Sequence, residues 1–421
     1  RPMKIVHVSN FINHHQIALS NALQKQSGDF TFLQTQEMTK ERVQAGWQVD
    51  ESTFPWLVDY RREPERGRQL LRESDVVIFG WNQLPRTLID ERLSSGKLSF
   101  VASERLYREG QWKAISPRGL LAKGREHFRY RKMPVYLLCA GAYVASDFHL
   151  IHCYPHKMLR WGYFPEVLPL ETETVHGQEG TTDRKEGCAQ REDAAGDRPS
   201  PVSLLFAGRF VPLKHPEFAL SAASLLKERG IPYTLTMTGD GPLRAFLEAE
   251  SKRRELAPAV RFTGTLKPEE VRREMGRADL FLFPSNYLEG WGAVVNEAMG
   301  NGCTVIASSE AGAVPYLIRD HENGLVFGKG KKRAFCERVL EAANDRSLRE
   351  KLSLAARTEI ATKWNAEEAA KRFVLFCKKS GWETGREAED FFHDGGPMTP
   401  APLLRPPAFL RTLQEVNHLQ W

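Results

Sequence analysis

Residues 280–300 read LFLFPSNYLEGWGAVVNEAMG, and this stretch decides the fold class of the chain. Its first four residues are apolar, as in a buried strand, and the later apolar spacing predicts a helix that begins near Ala293. Gly290 and Gly292 lie between the two, where glycine lets the backbone approach a ligand closely. A buried strand that leads directly into a helix is the repeating unit of a parallel sheet covered by helices.

The same alternation of short apolar strands and longer helical patterns continues along the chain in both directions. In the first half the predicted strands are Ile5–Val8, Phe30–Leu33, Val76–Phe79, Leu98–Ala102 and Val135–Cys139. In the second half they are Ser203–Ala207, Tyr233–Thr238, Val260–Thr263, Leu280–Phe283 and Thr304–Ala307. We therefore expect an α/β protein with two doubly wound, Rossmann-like domains that bind ligands at the carboxyl ends of their strands.

Length and composition also favour two domains. The chain has 421 residues, of which 41% are hydrophobic and 27% charged, as in a packed globular protein with more than one core. Residues 166–200 contain almost no apolar side chains, and we predict that they form a flexible linker or surface insertion. They separate an N-terminal domain, 1–165, from a C-terminal domain, 201–380. The remainder, 381–421, is predicted to be a tail that ends in a helix over 408–421.

Several classes of protein are not expected from this sequence. No apolar run reaches the roughly 20 residues that a membrane-spanning helix needs, and no apolar signal core follows Arg1. The cysteines include no Cys-x-x-Cys pair, so a zinc or redox motif is not predicted, and the thiols are expected to be reduced, as in a cytoplasm. These cysteines are Cys139, Cys153, Cys188, Cys303, Cys336 and Cys377.

Positive charge is concentrated in the first half of the chain. Residues 1–165 contain 24 Lys and Arg against 16 Asp and Glu, whereas the whole chain has a net charge of +6. Within this half, Arg118 to Lys132 alternate basic and apolar side chains, as do helices that rest on an anionic membrane surface. A solvated helix face would give the same pattern, so a peripheral membrane protein and a freely cytoplasmic one both stay open. Nucleic acid is not an expected partner, because no stacking platform or recognition motif accompanies the charge.

Two cations follow the first predicted strand of the second domain. Arg209 and Lys214 would therefore lie at its ligand-binding edge. A guanidinium can bind two phosphate oxygens and an ammonium acts as a point charge, so together they suit a diphosphate. The helix start near Gly292 adds unpaired N–H groups that favour a phosphate.

Two carboxylates, Glu289 and Glu297, flank the same helix start and are eight positions apart. An ionised carboxylate does not bind phosphate but accepts strong hydrogen bonds from hydroxyl groups. We therefore expect the ligand to carry sugar hydroxyls as well as phosphates.

Four segments, in sequence order, make the second half similar to a known family. They are Gly208-Arg209 with Lys214, Thr238-Gly239-Asp240-Gly241-Pro242, Arg261-Phe262-Thr263-Gly264, and the pair of Glu289 and Glu297. Over about residues 202–326 the chain resembles family 4 glycosyltransferases of the GT-B fold, in which two such domains face each other across a cleft. In the first half, Asn13-His14-His15-Gln16 and Trp161-Gly162-Tyr163-Phe164-Pro165 look like a subgroup that assembles bacterial polysaccharides.

The resemblance implies a hexosyltransferase that retains the anomeric configuration of a sugar donated by a nucleotide diphosphate, with UDP expected. The acceptor would be a saccharide or a lipid-linked sugar. As catalytic residues it implies Arg209 and Lys214 at the diphosphate and Glu289 at the transferred sugar. For the remaining donor contacts it implies Glu297 at the ribose, Gly290, Trp291, Gly292, Ala293 and Val294 at the phosphates, and Gly264 and Leu266 at the base.

No cofactor or metal is expected, because fixed cations can stabilise the departing diphosphate and no Asp-x-Asp element follows a strand. In place of the glycine-rich loop that many relatives have after the first strand, this chain has Ser9 to His15, which leaves a phosphate contact from that domain in doubt. His14 and His15 would begin a helix facing the cleft, and Glu104 follows a strand of the same domain. Each is a candidate acceptor contact. A helix cap or a packed ring is the more common role of such a histidine, and an ion pair is the alternative for Glu104.

Two other functions stay open at this point. A GT-B-fold sugar-nucleotide epimerase would act on the donor without an acceptor, and a non-catalytic nucleotide-sugar binding protein would form no product. Gly239 and Gly241 are expected to form only a turn, and packing is the alternative role for Trp291.

Overall fold

The computed structural model describes residues 1–44, 46–166, 200–328, 331–380 and 392–407. These residues form two parallel sheets. The first has the strand order β3-β2-β1-β4-β5-β6-β7. Its strands are β1 (Met3–Ser9), β2 (Gly28–Gln34), β3 (Leu57–Asp59), β4 (Val76–Phe79), β5 (Ser99–Ser103), β6 (Val135–Ala140) and β7 (Met158–Trp161).

The second sheet has the order β10-β9-β8-β11-β12-β13. Its strands are β8 (Val202–Ala207), β9 (Tyr233–Thr238), β10 (Val260–Gly264), β11 (Leu280–Phe283), β12 (Thr304–Ser308) and β13 (Leu325–Phe327). All ten predicted strands are confirmed, with ends that differ by at most two residues. The sequence analysis missed β3, β7 and β13, which are short strands at sheet edges, where few apolar positions mark a strand.

Helices cover the sheets. In the first half they are α1 (His14–Ser27), α2 (Lys40–Gln44), α3 (Pro64–Glu73), α4 (Arg86–Ser94), α5 (Pro117–Glu126) and α6 (Val144–Leu150). In the second half they are α7 (Glu217–Glu228), α8 (Arg244–Arg253), α9 (Pro268–Arg277), α10 (Ala293–Gly300), α11 (Val314–Leu317), α12 (Lys332–Asn344), α13 (Arg346–Thr362) and α14 (Ala366–Ser380). Within the described ranges, none of them is both long enough and apolar enough to span a membrane.

The strand order places the ligand-binding edge of each sheet. In the first sheet β1 lies between β2 and β4, and in the second β8 lies between β9 and β11. The direction of winding reverses at these points, and in open parallel sheets ligands bind in the crevice that forms there beyond the carboxyl ends of the strands. The segments that follow β8 and β11 are those that carry the predicted cations and carboxylates.

One hydrophobic cluster joins the two domains. The indole of Trp291, in the second domain, is 1% exposed and lies against Gly162 of the first. It also packs beside Trp364, whose ring in turn stacks on Phe164. The two sheets therefore share part of their core.

The last helix of the predicted C-terminal domain, 201–380, packs against the other domain. Helix α14 crosses back to the first sheet, where the ring of Phe373 lies 4.7 Å from that of Phe100, and it packs against α1. Helix α14 takes this position because the first sheet buries its apolar face.

The proline-rich residues 395–407 follow α14, and no regular structure was predicted for them. Part of this stretch pairs with the edge strand β7. Arg160 N donates to Thr399 O at 2.8 Å and Met398 N donates to Arg160 O at 2.9 Å, so the sheet edge is covered. The predicted linker within 166–200 and the helix over 408–421 lie outside the described residues, apart from the ends Glu166 and Ser200.

Candidate functional site

The loop after β8 is held in place by the neighbouring strand. Gly208 N donates to Thr238 O at 3.0 Å, and Phe210 N donates to Asp240 O at 2.8 Å. Gly239 has a φ of 133°, and any side chain there would overlap the carbonyl oxygen of Gly208. The glycines expected only to form a turn therefore also bring the two loops together and fix the backbone of Arg209.

Arg209 and Lys214 differ in their surroundings. The guanidinium of Arg209 is exposed and has no hydrogen-bond or ion-pair partner in the described part of the chain. The ammonium of Lys214 is paired with the carboxylate of Glu289, and both side chains are less than a fifth exposed. The structure thus places a predicted phosphate contact beside a predicted sugar contact.

The loop after β11 brings Glu289 to this position. Asn286 N donates to Leu213 O at 2.9 Å, which ties this loop to the loop after β8. The side chain of Asn286 accepts from Leu288 N at 3.0 Å and shapes the turn before Glu289. Helix α10 then begins at Ala293, as predicted, with its first N–H groups at the edge of the sheet where β8 and β11 end.

Glu297 lies on α10 and is almost completely buried, at 8% exposure. Burial raises the pKa of its carboxyl group to about 7, although the nearby Arg272 opposes this shift. One of its oxygens, Oε1, lies 3.8 Å from Nε2 of His15, which belongs to the other domain.

His14 and His15 begin α1, where the side chain of Asn13 caps the helix by accepting from His15 N at 3.0 Å. Their ring centroids are 4.0 Å apart, and both rings meet Trp47 edge-on. Burial lowers the pKa of His14 to about 4 and that of His15 to about 3, and the nearby Arg42 pushes both in the same direction. Both imidazoles are therefore neutral at neutral pH.

Glu104 follows β5 and lies on the opposite side of the cleft from α10. Its carboxylate is so close to Gly290 that a side chain at that glycine would overlap it. It accepts a hydrogen bond from Tyr163 Oη at 3.1 Å and pairs with the guanidinium of Arg108. The ion pair and the cleft position, weighed as alternatives from the sequence, therefore both occur.

A buried aspartate that the sequence analysis missed fixes the loop of Glu104. Asp147, on α6, is completely buried and accepts from Tyr107 N at 3.0 Å and from Gln111 Nε2 at 2.8 Å. It also accepts from two nitrogens of Arg105, each at 3.2 Å, in a buried ion pair. Its signal in the sequence was a lone acid within the apolar stretch from Val135 to Phe148.

The loop of Gly264 and Leu266, which is predicted to contact the base, lies beside the loop of Gly239. Gly239 N donates to Gly264 O at 2.9 Å, so the chain after β10 lies next to the chain after β9. Leu266 lines a groove of about 360 Å³ between β10 and α9, together with Phe262 and Arg273.

The side chain of Trp291 is packed in the core, which was the alternative role expected for it. Its indole nitrogen donates to Asn296 Oδ1 at 2.9 Å inside the shared core, and its side chain does not reach the cleft. Only its backbone is left to contact a ligand, because the ring fills the space between the domains.

The sequence of the second domain matches that of a known family. Residues 191–359, about two-fifths of the chain, match the family described as "Glycosyl transferases group 1". The amylovoran biosynthesis glycosyltransferase AmsK of Erwinia amylovora is 28% identical over 42% of this chain and 45% of its own length. The putative glycosyltransferase EpsF of Bacillus subtilis is 40% identical over 34% of this chain and 35% of its own length. The chain thus spans less than half the length of either relative.

The fold of both domains has solved counterparts. The structure of HepE from Anabaena in complex with UDP and glucose superimposes with a TM-score of 0.58 at 12% identity, over 90% of this chain and all of that one. This likeness confirms the predicted fold, and the family match confirms the resemblance seen in the sequence. Residues 191–359 therefore match the glycosyl transferases group 1 family, within a molecule that has the two-domain GT-B fold.

Proposed function

We propose that this protein is a retaining glycosyltransferase that moves a sugar from a nucleotide diphosphate to a saccharide or lipid-linked acceptor. One observation carries the proposal. A cation, a carboxylate and the start of α10 meet where β8 and β11 end, opposite a carboxylate from the other domain. These are Lys214, Glu289, Ala293 and Glu104. The family of residues 191–359, and a neighbour in fold that binds UDP and glucose, support it.

The cations and the helix start would stabilise the leaving diphosphate. Negative charge on the diphosphate grows as the bond to the sugar breaks, so fixed donors bind the transition state more strongly than the ground state. Arg209 has no partner to lose among the residues that the structure describes. Lys214 must exchange Glu289 for a phosphate oxygen, and this exchange frees the carboxylate to accept a sugar hydroxyl. We infer retention from the resemblance to family 4.

The rest of the donor would extend away from this point along the second sheet. Glu297 is assigned to the ribose hydroxyls, and the loop of Gly264 and Leu266 to the base, with UDP as the expected nucleotide. His14, His15 and Glu104 are assigned to the acceptor side of the cleft.

The first experiment separates the functions left open by the sequence. Thermal-shift assays with UDP-, GDP- and ADP-sugars identify the donor, because a ligand that binds the native state raises its melting temperature. The stabilising donor is then incubated with and without lipid-linked and free saccharide acceptors. We expect a new glycoside only when an acceptor is present. Conversion of the donor sugar without an acceptor would indicate an epimerase, and binding without any product would indicate a binding protein.

We further propose that transfer needs no metal ion. Activity should be unchanged in chelator, whereas Arg209→Ala and Lys214→Ala should each lower turnover and weaken UDP binding. Because both side chains bind one ligand, the double variant should lose less than the sum of the single effects. Lys227→Ala, at the exposed end of α7, is the matched control and should behave as the wild type. Activity that disappears in chelator and returns with Mg²⁺ or Mn²⁺ would refute the metal-free mechanism.

The exposed face of α5 supports a second proposal, that the protein works in the cytoplasm as a peripheral protein on an anionic membrane. No side chain described in this helix is buried, and Leu121 and Leu120 are 60% and 43% exposed. Arg118 and Arg125, on the same helix, are exposed too. Exposed leucines beside basic residues match the chemistry of an anionic lipid surface.

Vesicle sedimentation tests this second proposal. The wild type should sediment with vesicles that contain phosphatidylglycerol, less with phosphatidylcholine alone, and less at high salt. Changing Leu120 and Leu121 to Ser, or Arg118 and Arg125 to Ser, should abolish the difference. Leu354→Ser, which removes a 66% exposed leucine from α13, is the control and should change nothing. Equal retention by both kinds of vesicle would show that the face is only solvated.

A further inference from the structure

Two histidines and a carboxylate from opposite sides of the cleft converge. One possible ligand atom from each of His14, His15 and Glu297 lies within 4.8 Å of the others. His15 Nε2 and Glu297 Oε1 are 3.8 Å apart. The ring nitrogen Nδ1 of His14 is buried and has no hydrogen-bond partner within the described ranges of the chain. A buried polar atom without a partner is costly, and such an atom is a common sign of a ligand.

The donor set has a recognisable chemistry. Two imidazoles and one carboxylate are the protein ligands of many zinc sites, which keep a fourth position for water or another ligand. Zinc bonds of about 2.0–2.2 Å place the ligand atoms of a tetrahedral site roughly 3.4 Å apart. The ligand atoms therefore need to approach each other by at most about 1.4 Å to reach this spacing.

The charges around the cluster oppose each other. Arg42 and Arg272 are close enough to act on both histidines, and they disfavour a cation. Glu269, which acts on His14, and the ligand Glu297 offset them. Trp47 covers both rings on one side and keeps solvent from that face.

We propose that His14, His15 and Glu297 form a zinc-type metal site that ties the two domains together and keeps the nucleotide out of the cleft. The site is inhibitory, and the proposed transfer reaction does not use it. The exclusion of nucleotide rests on the proposed function, because the metal would bind Glu297, the carboxylate that is assigned to the ribose. By linkage, bound metal must weaken nucleotide binding by the factor with which nucleotide weakens metal binding.

Titration of the full chain, freed of metal by chelator, tests the site itself. Isothermal calorimetry with Zn²⁺ and visible absorption with Co²⁺ should both report one ion per chain. His15→Ala and His14→Gln should each weaken the affinity at least about 10-fold, the lower end of what even an outer-shell partner contributes. The control changes the exposed His149 and His152 to Ala, a histidine pair of α6 and the turn after it, and should bind as the wild type does.

The proposal fails if the wild type binds no ion, if both single variants bind as tightly as the wild type, or if the control loses as much affinity as they do. Circular dichroism of the metal-free variants checks that each is folded. Two different substitutions keep the test decisive if one of them does not fold.

A second titration tests the exclusion of nucleotide. UDP binding is measured with and without saturating Zn²⁺ in the wild type, in His15→Ala and in the His149 and His152 control. The dissociation constant for UDP should rise with Zn²⁺ in the wild type and in the control, but not in His15→Ala. An equal rise in all three would reflect Zn²⁺ bound to UDP itself and would overturn the exclusion. If neither UDP nor another nucleotide diphosphate binds even in chelator, the proposed function fails, whereas the metal titration still decides the site.

Discussion

Lys214 and Glu289 neutralise each other at the bottom of the cleft, where both are largely shielded from water. In the proposed reaction each must exchange this partner for part of the donor. The exchange couples the arrival of the diphosphate to the release of the carboxylate that contacts the sugar. Substitution of Lys214 should therefore affect the binding of the diphosphate, whereas substitution of Glu289 should affect the contact with the sugar.

Glu289→Gln should lower turnover strongly without weakening UDP binding, because free UDP lacks the sugar and Lys214 no longer has to give up a carboxylate to bind the diphosphate. A hydrogen bond to a charged group contributes roughly 1.5–3 kcal/mol, which corresponds to a loss of about 10- to 100-fold in rate. Steady-state kinetics and calorimetry with UDP measure the two effects. Glu228→Gln, at the exposed end of α7, is the control. Turnover close to that of the wild type would remove Glu289 from the mechanism.

The raised pKa of Glu297 predicts how its effect on stability depends on pH. The native state keeps a proton on this carboxyl between its ordinary pKa of 4.5 and about 7, whereas the unfolded chain loses it. The stability that this group contributes is therefore present below pH 4.5 and is lost as the pH rises through about 7. Glu297→Gln should thus gain melting temperature relative to the wild type as the pH rises from 5 to 8.

Melting curves of both proteins in chelator check this prediction. His15 is present in both, so its own titration largely cancels in the comparison. The opposite trend, in which the variant loses stability relative to the wild type at high pH, would mean that Glu297 ionises as a pair with His15 and would contradict the burial argument.

At the scale of elements, a buried side chain from α6 holds the loop from Glu104 to Gln111 at three residues. Asp147 holds it through the backbone of Tyr107 and the side chains of Arg105 and Gln111. The loop carries Glu104 to its position against Gly290, so α6 positions a candidate acceptor contact without touching a ligand.

Asp147→Asn should therefore lower the free energy of unfolding by about 3–5 kcal/mol, since it leaves the guanidinium of Arg105 buried without its counter-ion. Urea denaturation measures the change. Glu65→Gln breaks the exposed pair with Arg68 and should change stability by no more than about 1 kcal/mol. Similar losses for both variants would show that burial is not the cause.

At the scale of the whole molecule, glycines allow the two domains to meet. Ala142 N, in the first domain, donates to Gly312 O in the second at 2.8 Å. A side chain at Gly312 would overlap the carbonyl oxygen of Gly290, and Gly141 lies on the other side. The contact therefore holds the loop of Glu289 against the first domain.

Gly312→Ala should lower both the melting temperature and the turnover, because the added methyl group forces the loops apart. Overpacking of this kind costs typically 1–3 kcal/mol. Differential scanning calorimetry and small-angle scattering measure stability and domain separation. Gly276→Ala is the control, because nothing lies within 4 Å of the methyl group that it adds to α9. An unchanged transition in Gly312→Ala would mean that the contact adapts without cost.

Much of the fold could be predicted because its signals are local. Strands β4, β6 and β11 are continuous apolar runs, as expected of buried strands in a parallel sheet, and they were located from their own residues. The candidate site was partly predictable for the same reason. Arg209, Lys214 and Glu289 directly follow predicted strands, and the carboxyl ends of parallel strands share one edge.

Only the tertiary structure decided which residues meet across the two domains. No local pattern pairs His15 with Glu297, buries the ring of Trp291 or places Glu104 against Gly290, since each contact joins residues far apart in sequence. The role of Asp147 and the return of α14 to the first sheet were hidden for the same reason. The sequence by itself determined the strands, the helix starts and the chemical types at their ends, because these depend on neighbouring residues. The packing of the two domains decided the rest, because burial and close approach depend on the whole chain.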